Sequence, residues 1–182
     1  MIVRSRLTQR LRLEPITLER ADDLWKLHQD LGVAEYYVEE AQWTREDAER
    51  CAAAFEVDWQ DHGVSKWLAY DRADGALVGR GGLSTCSFDR EQGLDVGWAL
   101  LGAFRGRGLA TEIGHAGIAL AFSELEASEV VAFTEVHNRP SRAVMERLEM
   151  TYIRDIVWRG LIEGRDGVHD GAPFALYQID RY

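Results

Sequence analysis

The N-terminal third of the chain combines one alternating segment with two helical patterns. Apolar positions alternate over residues 11–13 up to Pro15, which predicts a short first strand. A helix is predicted next, with Thr17 as its N-cap and Gly32 as its stop. The apolar positions of this helix recur three and four residues apart, at Leu24, Leu27 and Leu31.

A second helix is predicted to begin at Thr44, because Thr44 followed by Asp47 is the sequence pattern of a capping box. The helix runs through Trp59. The segment between the two helices is polar and aromatic, and it carries a group of acidic side chains, namely Glu35, Glu39 and Glu40.

The pattern changes to that of strands after Gly63. Residues 65–70 read as a strand, and Asp74-Gly75 reads as the turn of a hairpin. Residues 77–86 form the return strand, and residues 94–101 form a third strand after another turn. The three strands are predicted to make an antiparallel meander without helical crossovers.

The C-terminal half alternates helices and strands before it ends in a hairpin. The predicted elements are a helix at 109–126, a strand at 130–136, a helix at 138–148, and two strands at 152–158 and 174–179, which the polar, Gly-rich segment 160–171 connects. The element order β-α-α-β-β-β-α-β-α-β-β predicts a single α+β domain over residues 1–182. Its sheet should be mixed and mostly antiparallel, with about seven strands.

Composition narrows the possible partners. The formal net charge is -10, from 21 Lys and Arg against 31 Asp and Glu, which argues against bulk nucleic-acid binding. No apolar run approaches the roughly 20 residues of a membrane-spanning helix. The N-terminus has no apolar signal core, so the predicted location is the cytoplasm. Cys51 and Cys86 form neither a disulfide framework nor a zinc spacing, and no metal is expected.

The strongest chemical signal is the turn Arg105-Gly106-Arg107-Gly108 between a strand and a helix. A helix start presents unpaired N–H groups and the positive end of the helix dipole. The two glycines would let successive amides point at a pyrophosphate, and the two arginines could bind its oxygens. A plain Gly-rich turn is the alternative. The turn is neither a dinucleotide fingerprint nor a nucleotide P-loop.

Several blocks of the chain resemble the GNAT superfamily of acyl-CoA-dependent N-acyltransferases. Arg105, Gly108 and Ala110 match the R/Q-x-x-G-x-G/A motif of that superfamily. Residues 7–13, 95–98 and 108–112 look like the branch that acetylates the N-termini of ribosomal proteins. The T-x-x-x-N-x-x-S-x-x-V-M-E-x-L pattern of the same branch is met at Thr134, Asn138, Ser141, Val144, Met145, Glu146 and Leu148.

This resemblance implies a twisted sheet with helices on both faces and a gap between its fourth and fifth strands, which admits acetyl-CoA. Asn138 would bond the pantetheine arm or hold the gap open, and Ser141 would lie near the thioester sulfur. The arm would pair with the backbone of Trp98, Ala99 and Leu100. Phosphates would meet Arg105, Gly106, Arg107, Gly108, Leu109, Ala110 and Thr111.

Two positions depart from the family pattern. Glu149 stands where the family has a Gly after the helix, so we expect a different helix end. Met145 stands where many relatives have a Tyr that protonates the leaving thiolate. The thiolate proton would then come from Ser141, from a water or from no general acid.

The resemblance also implies acetyl transfer to a primary amine, by direct attack with both substrates bound. Asp95 is the candidate base, acting through water, and a solvated strand residue is the alternative. Ser141 could instead only satisfy helix-start amides. The acceptor, a protein N-terminus or a small amine, would contact Tyr36, Tyr37 and Trp43. A role of these three aromatic side chains in surface or core packing is an equally good interpretation.

Two other classes of function remain open: an acyl-CoA-binding regulatory module without significant turnover, and an α+β interaction domain with a structural Gly-rich turn. Dimers are frequent in relatives, so a homodimer is a further expectation.

Overall fold

The computed structural model describes residues 5–34, 43–88 and 91–181. Its strands are β1 Arg6–Leu7, β2 Leu11–Pro15, β3 Lys66–Asp71, β4 Leu77–Phe88, β5 Glu91–Leu100, β6 Glu129–Glu135, β7 Thr151–Leu161 and β8 Val168–Asp180. Its α-helices are α1 Ala21–His28, α2 Leu31–Ala34, α3 Arg45–Asp61, α4 Leu109–Ser123 and α5 Arg139–Arg147. The predicted Tyr36 and Tyr37 fall outside the described residues. None of the helices in these ranges has the length and hydropathy of a membrane-spanning segment.

The strands form one sheet in the order β1-β2-β3-β4-β5-β6-β8-β7, antiparallel except between β5 and β6. Strands β5 and β6 are the fourth and fifth strands of the sequence prediction. Within the described residues they share a single register pair, Asp95 with Val131. Beyond this pair β5 keeps its bonds to β4 but leaves β6, so the sheet opens there as predicted.

Helices cover both faces of the sheet and build separate cores. On one face α4 buries Ile113 and Leu120 against Trp67 and Val96. A Cβ added at Gly81 would lie 2.5 Å from the Ile113 side chain, so only glycine allows α4 to approach β4 so closely. On the other face α1 and α3 pack on the sheet, and the buried residues there include Leu24, Ala52, Leu68 and Tyr70.

The sequence predicted one of the first two helix starts correctly and the other incorrectly. Thr44 and Asp47 form both bonds of the predicted capping box. Thr17 was the wrong N-cap for the first helix, because a 3-10 turn over Leu18–Arg20 intervenes and α1 begins at Ala21. The Thr17 side chain makes no capping hydrogen bond.

The C-terminal hairpin is longer than predicted. Strand β7 extends to Leu161 and strand β8 begins at Val168, so half of the segment predicted as a connection is strand. The pairs Gly160–His169 and Leu161–Val168 carry the ladder through its Gly-rich composition. The prediction of a loop from the Gly-rich composition was therefore wrong at both ends of this segment, because pairing between strands outweighs local propensity.

The expected change at the end of α5 does not occur. Glu149 adopts the left-handed conformation, with φ +62°, that glycine usually supplies. The Met150 amide bonds to the Met145 carbonyl at 3.1 Å, and the Glu149 amide bonds to Glu146 at 3.1 Å. This is a Schellman cap formed without glycine.

Candidate active site

A cavity of about 1390 Å³ occupies the gap between β5 and β6. It extends from the start of α4 to α3 on one face and to the β7–β8 hairpin. Most of the described residues that the sequence singled out line it, namely Trp43, Asp95, Trp98, Ala99, Leu100, Arg105, Gly106, Gly108, Ala110, Thr111, Asn138 and Ser141. Arg107 and Leu109 are not part of the lining, and Leu109 is buried in the core under α4.

The loop before α4 and the first turn of α4 line this cavity. Gly106 and Gly108 have φ of +73° and +75°, a region that disfavours other residues. The first intrahelical bond runs from the Glu112 amide to the Gly108 carbonyl, so the amides of the first turn precede it. The Thr111 hydroxyl is buried and has no hydrogen-bond partner among the described residues. We call residues 106–111 the cradle.

An ion pair braces the cradle from the outside. The Arg10 side chain donates from Nε to Glu112 Oε2 at 2.7 Å and from Nη1 to the Arg107 carbonyl at 2.7 Å. The Thr8 hydroxyl and the Arg10 amide also donate to Glu112. Burial raises the pKa of the Glu112 carboxyl, but these hydrogen bonds outweigh it and the pKa is lowered. The β1–β2 turn is thereby fixed to the head of α4.

The two arginines of the cradle motif differ in their surroundings. Arg105 donates from Nε to the Leu100 carbonyl at 3.2 Å and lies 3.9 Å from Asp30. Arg105 therefore connects the end of β5 to the loop. The Arg107 guanidinium lies 5.3 Å from the centre of the Phe104 ring. The structure thus places one arginine at the cavity and turns the other toward Phe104.

Asn138 and Ser141 lie at the start of α5. The Asn138 side chain accepts a bond from the Ser141 amide at 3.2 Å and donates to the Thr134 hydroxyl at 2.9 Å. Asn138 therefore caps α5 and ties the helix to β6 beside the gap. Met145 is buried within the core and lines the cavity.

Asp95 has a partner that the sequence reading did not identify. The Lys66 Nζ lies 3.4 Å from Asp95 Oδ2 and 3.0 Å from the Gly82 carbonyl. Lys66 is 7% exposed, and burial lowers the pKa of its ammonium although Asp95 acts in the opposite direction. Lys66 could have been noticed in the sequence, because a lysine within a strand of mostly apolar residues is unusual.

A second missed residue is Arg80, which stands next to the glycines of β4 and is 7% exposed. Its guanidinium lies 5.6 Å from the centre of the Phe55 ring on α3. Near it the buried His28 stacks on Trp43, with ring centres 3.7 Å apart. Burial, with a smaller contribution from the charge of Arg80, lowers the pKa of His28 to about 3. A neutral histidine therefore lies against Trp43, which lines the cavity together with Arg80.

Comparison with known proteins identifies the family. The sequence pattern of the family described as "Acetyltransferase (GNAT) domain" matches residues 10–151. The uncharacterized protein YkkB of Bacillus subtilis (strain 168) is 26% identical over 105 residues, which cover 55% of this chain and 61% of YkkB.

Solved structures share the fold at low identity. The ribosomal-protein-S5-alanine acetyltransferase of Vibrio fischeri superposes with a TM-score of 0.78 at 14% identity, over 97% of this chain and 96% of that one. RimJ of Mycobacterium smegmatis, in complex with a CoA disulfide, superposes with a TM-score of 0.74 at 15% identity, over 93% and 81%. With the open sheet and the cradle already in place, the family match leads to one conclusion: the chain belongs to the GNAT acetyltransferase family and is an acyltransferase.

Proposed function

We propose that this protein transfers an acetyl group from acetyl-CoA to a primary amine, by direct attack while both substrates are bound. One observation supports this most strongly. The cradle and Asp95 open into the same cavity, at the place where β5 and β6 separate. A single cavity can thus hold a diphosphate at one end and an amine at the other.

The residues of the cradle fit the diphosphate of CoA. Amides at a helix start suit an anion, and the buried Thr111 hydroxyl would gain a partner. Beyond Asp95 the edge of β5 faces the gap, so Trp98, Ala99 and Leu100 could pair with the pantetheine arm. Arg107 and Leu109 would contribute their backbone amides only. Acetyl-CoA supplies the activated acetyl group.

Positioning is the main task of the protein in this reaction. Holding both reactants in line can lower a barrier by about 7–11 kcal/mol. A β5 amide directed at the thioester oxygen would add about 3 kcal/mol. The Asn138 bond to Thr134 would hold the gap open for the arm.

The acceptor nitrogen must be neutral before it attacks. An α-amine has a pKa of about 7.7–8 and a lysine-like amine about 10.4, which corresponds to about 3.5 kcal/mol of deprotonation. Asp95 is the proposed base, acting through water, and Lys66 orients its carboxylate. Ser141 is the proposed proton donor to the leaving thiolate, because Met145 has no acidic proton to give.

The acceptor is proposed to be a protein N-terminus or a small amine. The structural relatives named above include a ribosomal-protein alanine acetyltransferase, which supports the first class. Trp43 lines the cavity and supports an acceptor site there, while the roles of Tyr36 and Tyr37 stay predictions. A cytoplasmic location and a homodimer also stay predictions.

The burial of Met145, which is 2% exposed at the cavity, favours a second candidate. Without a tyrosine there, the chain could bind acyl-CoA as a regulatory module and turn over little. Acetyl-CoA titration by calorimetry, followed by thiol release with a panel of α-amines, lysine-like amines and peptides, distinguishes the two. We expect binding and amine-dependent thiol release. Binding without release from any amine would support the module, and no binding would contradict both.

A further inference from the structure

Lysine is rare in this chain, and one of its lysines lies at the cavity. Only two of the 21 Lys and Arg residues are lysines, Lys26 and Lys66. The Lys26 side chain on α1 is 60% exposed and pairs with Asp23. Lys66 on β3 is 7% exposed and lines the cavity. One side-chain amine of the chain is therefore exposed to solvent, and the other borders the space proposed for acetyl-CoA.

The end of the gap between β5 and β6 determines where the thioester would lie. The cradle follows the C-terminal end of β5, so the pantetheine arm would run back along this strand, from Leu100 toward Trp98. The register pair of Asp95 with Val131 closes the gap. The arm would therefore end beside Gly97, with its thioester between Trp98 and Asp95.

The Lys66 amine lies at this closed end of the gap. Lys66 pairs with Gly82, which in turn pairs with Gly97 of β5. The Lys66 Nζ is 3.5 Å from the point where a Gly97 side chain would begin. The same Nζ donates to the Gly82 carbonyl at 3.0 Å and lies 3.4 Å from Asp95 Oδ2. A potential nucleophile thus stands beside the proposed thioester position, with a carboxylate in reach of its proton.

The surroundings of Lys66 favour the neutral amine that acyl transfer needs. Burial lowers the pKa of the Lys66 ammonium, although the Asp95 carboxylate acts in the opposite direction. The pKa of the Lys26 ammonium is raised, first by its hydrogen bond to Asp23. At a given pH a larger fraction of Lys66 than of Lys26 is therefore neutral.

We propose that Lys66 is a self-acetylation site, whose Nζ takes the acetyl group of acetyl-CoA bound in the cavity when no acceptor amine is present. The proposal rests on the proposed binding of acetyl-CoA at the cradle. The Lys66 ammonium first gives one proton to Asp95. The neutral Nζ then forms a bond to the thioester carbon, and the carbon–sulfur bond breaks. The second proton of the nitrogen goes to the leaving thiolate, and the third remains on the amide.

Mass spectrometry after incubation with acetyl-CoA alone tests the proposal. Trypsin does not cleave after acetyl-lysine, so acetylation of Lys66 leaves residues 51–72 as one uncleaved peptide. We expect Lys66 to be acetylated at least about tenfold faster than Lys26, because the bound thioester is held next to it. Equal rates at the two lysines, or an unmodified Lys66, would overturn the proposal.

A reagent that needs no binding site provides the comparison. The N-hydroxysuccinimide ester of acetate reacts directly from solution, so it should acetylate the exposed Lys26 before the buried Lys66. The order of the two lysines should thus be reversed between this ester and acetyl-CoA. A preference for Lys66 with both reagents would show intrinsic reactivity instead of transfer from a bound thioester, and would also overturn the proposal.

Two variants and a competitor check that the acetyl group comes from the cavity. The intact mass of Lys66→Arg should show no rapid gain of an acetyl group, whereas the matched control Lys26→Arg should gain it as the wild type does. If Lys66→Arg does not fold, the peptide map of the wild type decides, because it identifies the site directly. Excess CoA competes for the cradle and should slow the acetylation of Lys66. Acetylation that excess CoA does not slow would contradict transfer within the cavity.

The results separate this proposal from the proposed function. Calorimetric binding of acetyl-CoA and thiol release with added amines, together with an unmodified Lys66, would overturn self-acetylation and leave the proposed function intact. An acetylated Lys66 without thiol release from any added amine would support self-acetylation and contradict transfer to an acceptor. Absence of both binding and acetylation would overturn both.

Discussion

The Arg10 guanidinium joins the Glu112 carboxylate, with Nε 2.7 Å from Oε2, and also bonds to the Arg107 carbonyl at 2.7 Å. A residue of the β1–β2 turn thus holds both the loop and the first turn of α4. Because the loop contains two glycines with positive φ, we expect the position of the cradle amides to depend on this bracing.

Removing the brace should weaken acetyl-CoA binding. For Arg10→Ala we expect the Kd measured by calorimetry to rise roughly threefold to tenfold, since a partly exposed ion pair contributes about 1 kcal/mol. Arg12→Ala is the matched control, because Arg12 pairs with Glu14 on the same strand and does not touch the cradle. Equal changes in the two variants would show that the brace has no specific role.

The base role of Asp95 predicts a dependence on the acceptor. Asp95→Asn should lower kcat more for lysine-like amines than for α-amines, because the former are harder to deprotonate by about 3.5 kcal/mol. Asp180→Asn, on the exposed end of β8, serves as the control. Small and equal effects on both amine classes would remove Asp95 from this role.

The buried His28 predicts a loss of stability in mild acid. Its pKa is lowered from 6.5 to about 3 in the folded protein, so the unfolded chain binds a proton first as the pH falls below 6.5. This costs about 2 kcal/mol at pH 5 and vanishes above 6.5. In His28→Phe, which keeps a ring on Trp43, the Tm should fall less between pH 7 and pH 5. Parallel curves for the two proteins would contradict this origin.

The cap at Glu149 predicts a stabilising substitution. A left-handed conformation costs a non-glycine residue about 1 kcal/mol, so Glu149→Gly should raise the free energy of unfolding by about that amount. Glu146→Gly, three residues earlier within α5, should lower it by about 1 kcal/mol. Urea unfolding of the pair measures both, and a destabilised Glu149→Gly would refute the interpretation.

The sequence predicted the parts that local patterns determine. The meander, the cradle motif and the capping box at Thr44 all depend on neighbours in the chain. Thr17 was misread because the 3-10 turn at Leu18–Arg20 shifts the start of α1. The full length of the β7–β8 hairpin was not predicted, because pairing between the two strands determines where they end.

The part of the cavity that contains Lys66 and Arg80 was less predictable. Lys66 and Arg80 lie on neighbouring strands, and the register of β3 with β4 places them two pairs apart, because Lys66 pairs with Gly82 and Arg80 pairs with Leu68. Both side chains are buried in the folded protein, and a single sequence does not show which charged residues will be buried. The brace between Arg10 and Glu112 joins residues that are 102 positions apart in the chain.

The most direct test of the cradle is the affinity for acetyl-CoA when Gly108 is replaced. Gly108→Val should raise the calorimetric Kd at least tenfold, because a side chain would block close approach of a diphosphate to the amides. Gly75→Val is the matched control, since Gly75 has nearly the same φ, +76°, in an exposed turn far from the cavity. Unchanged affinity in a folded Gly108→Val protein would contradict the diphosphate cradle.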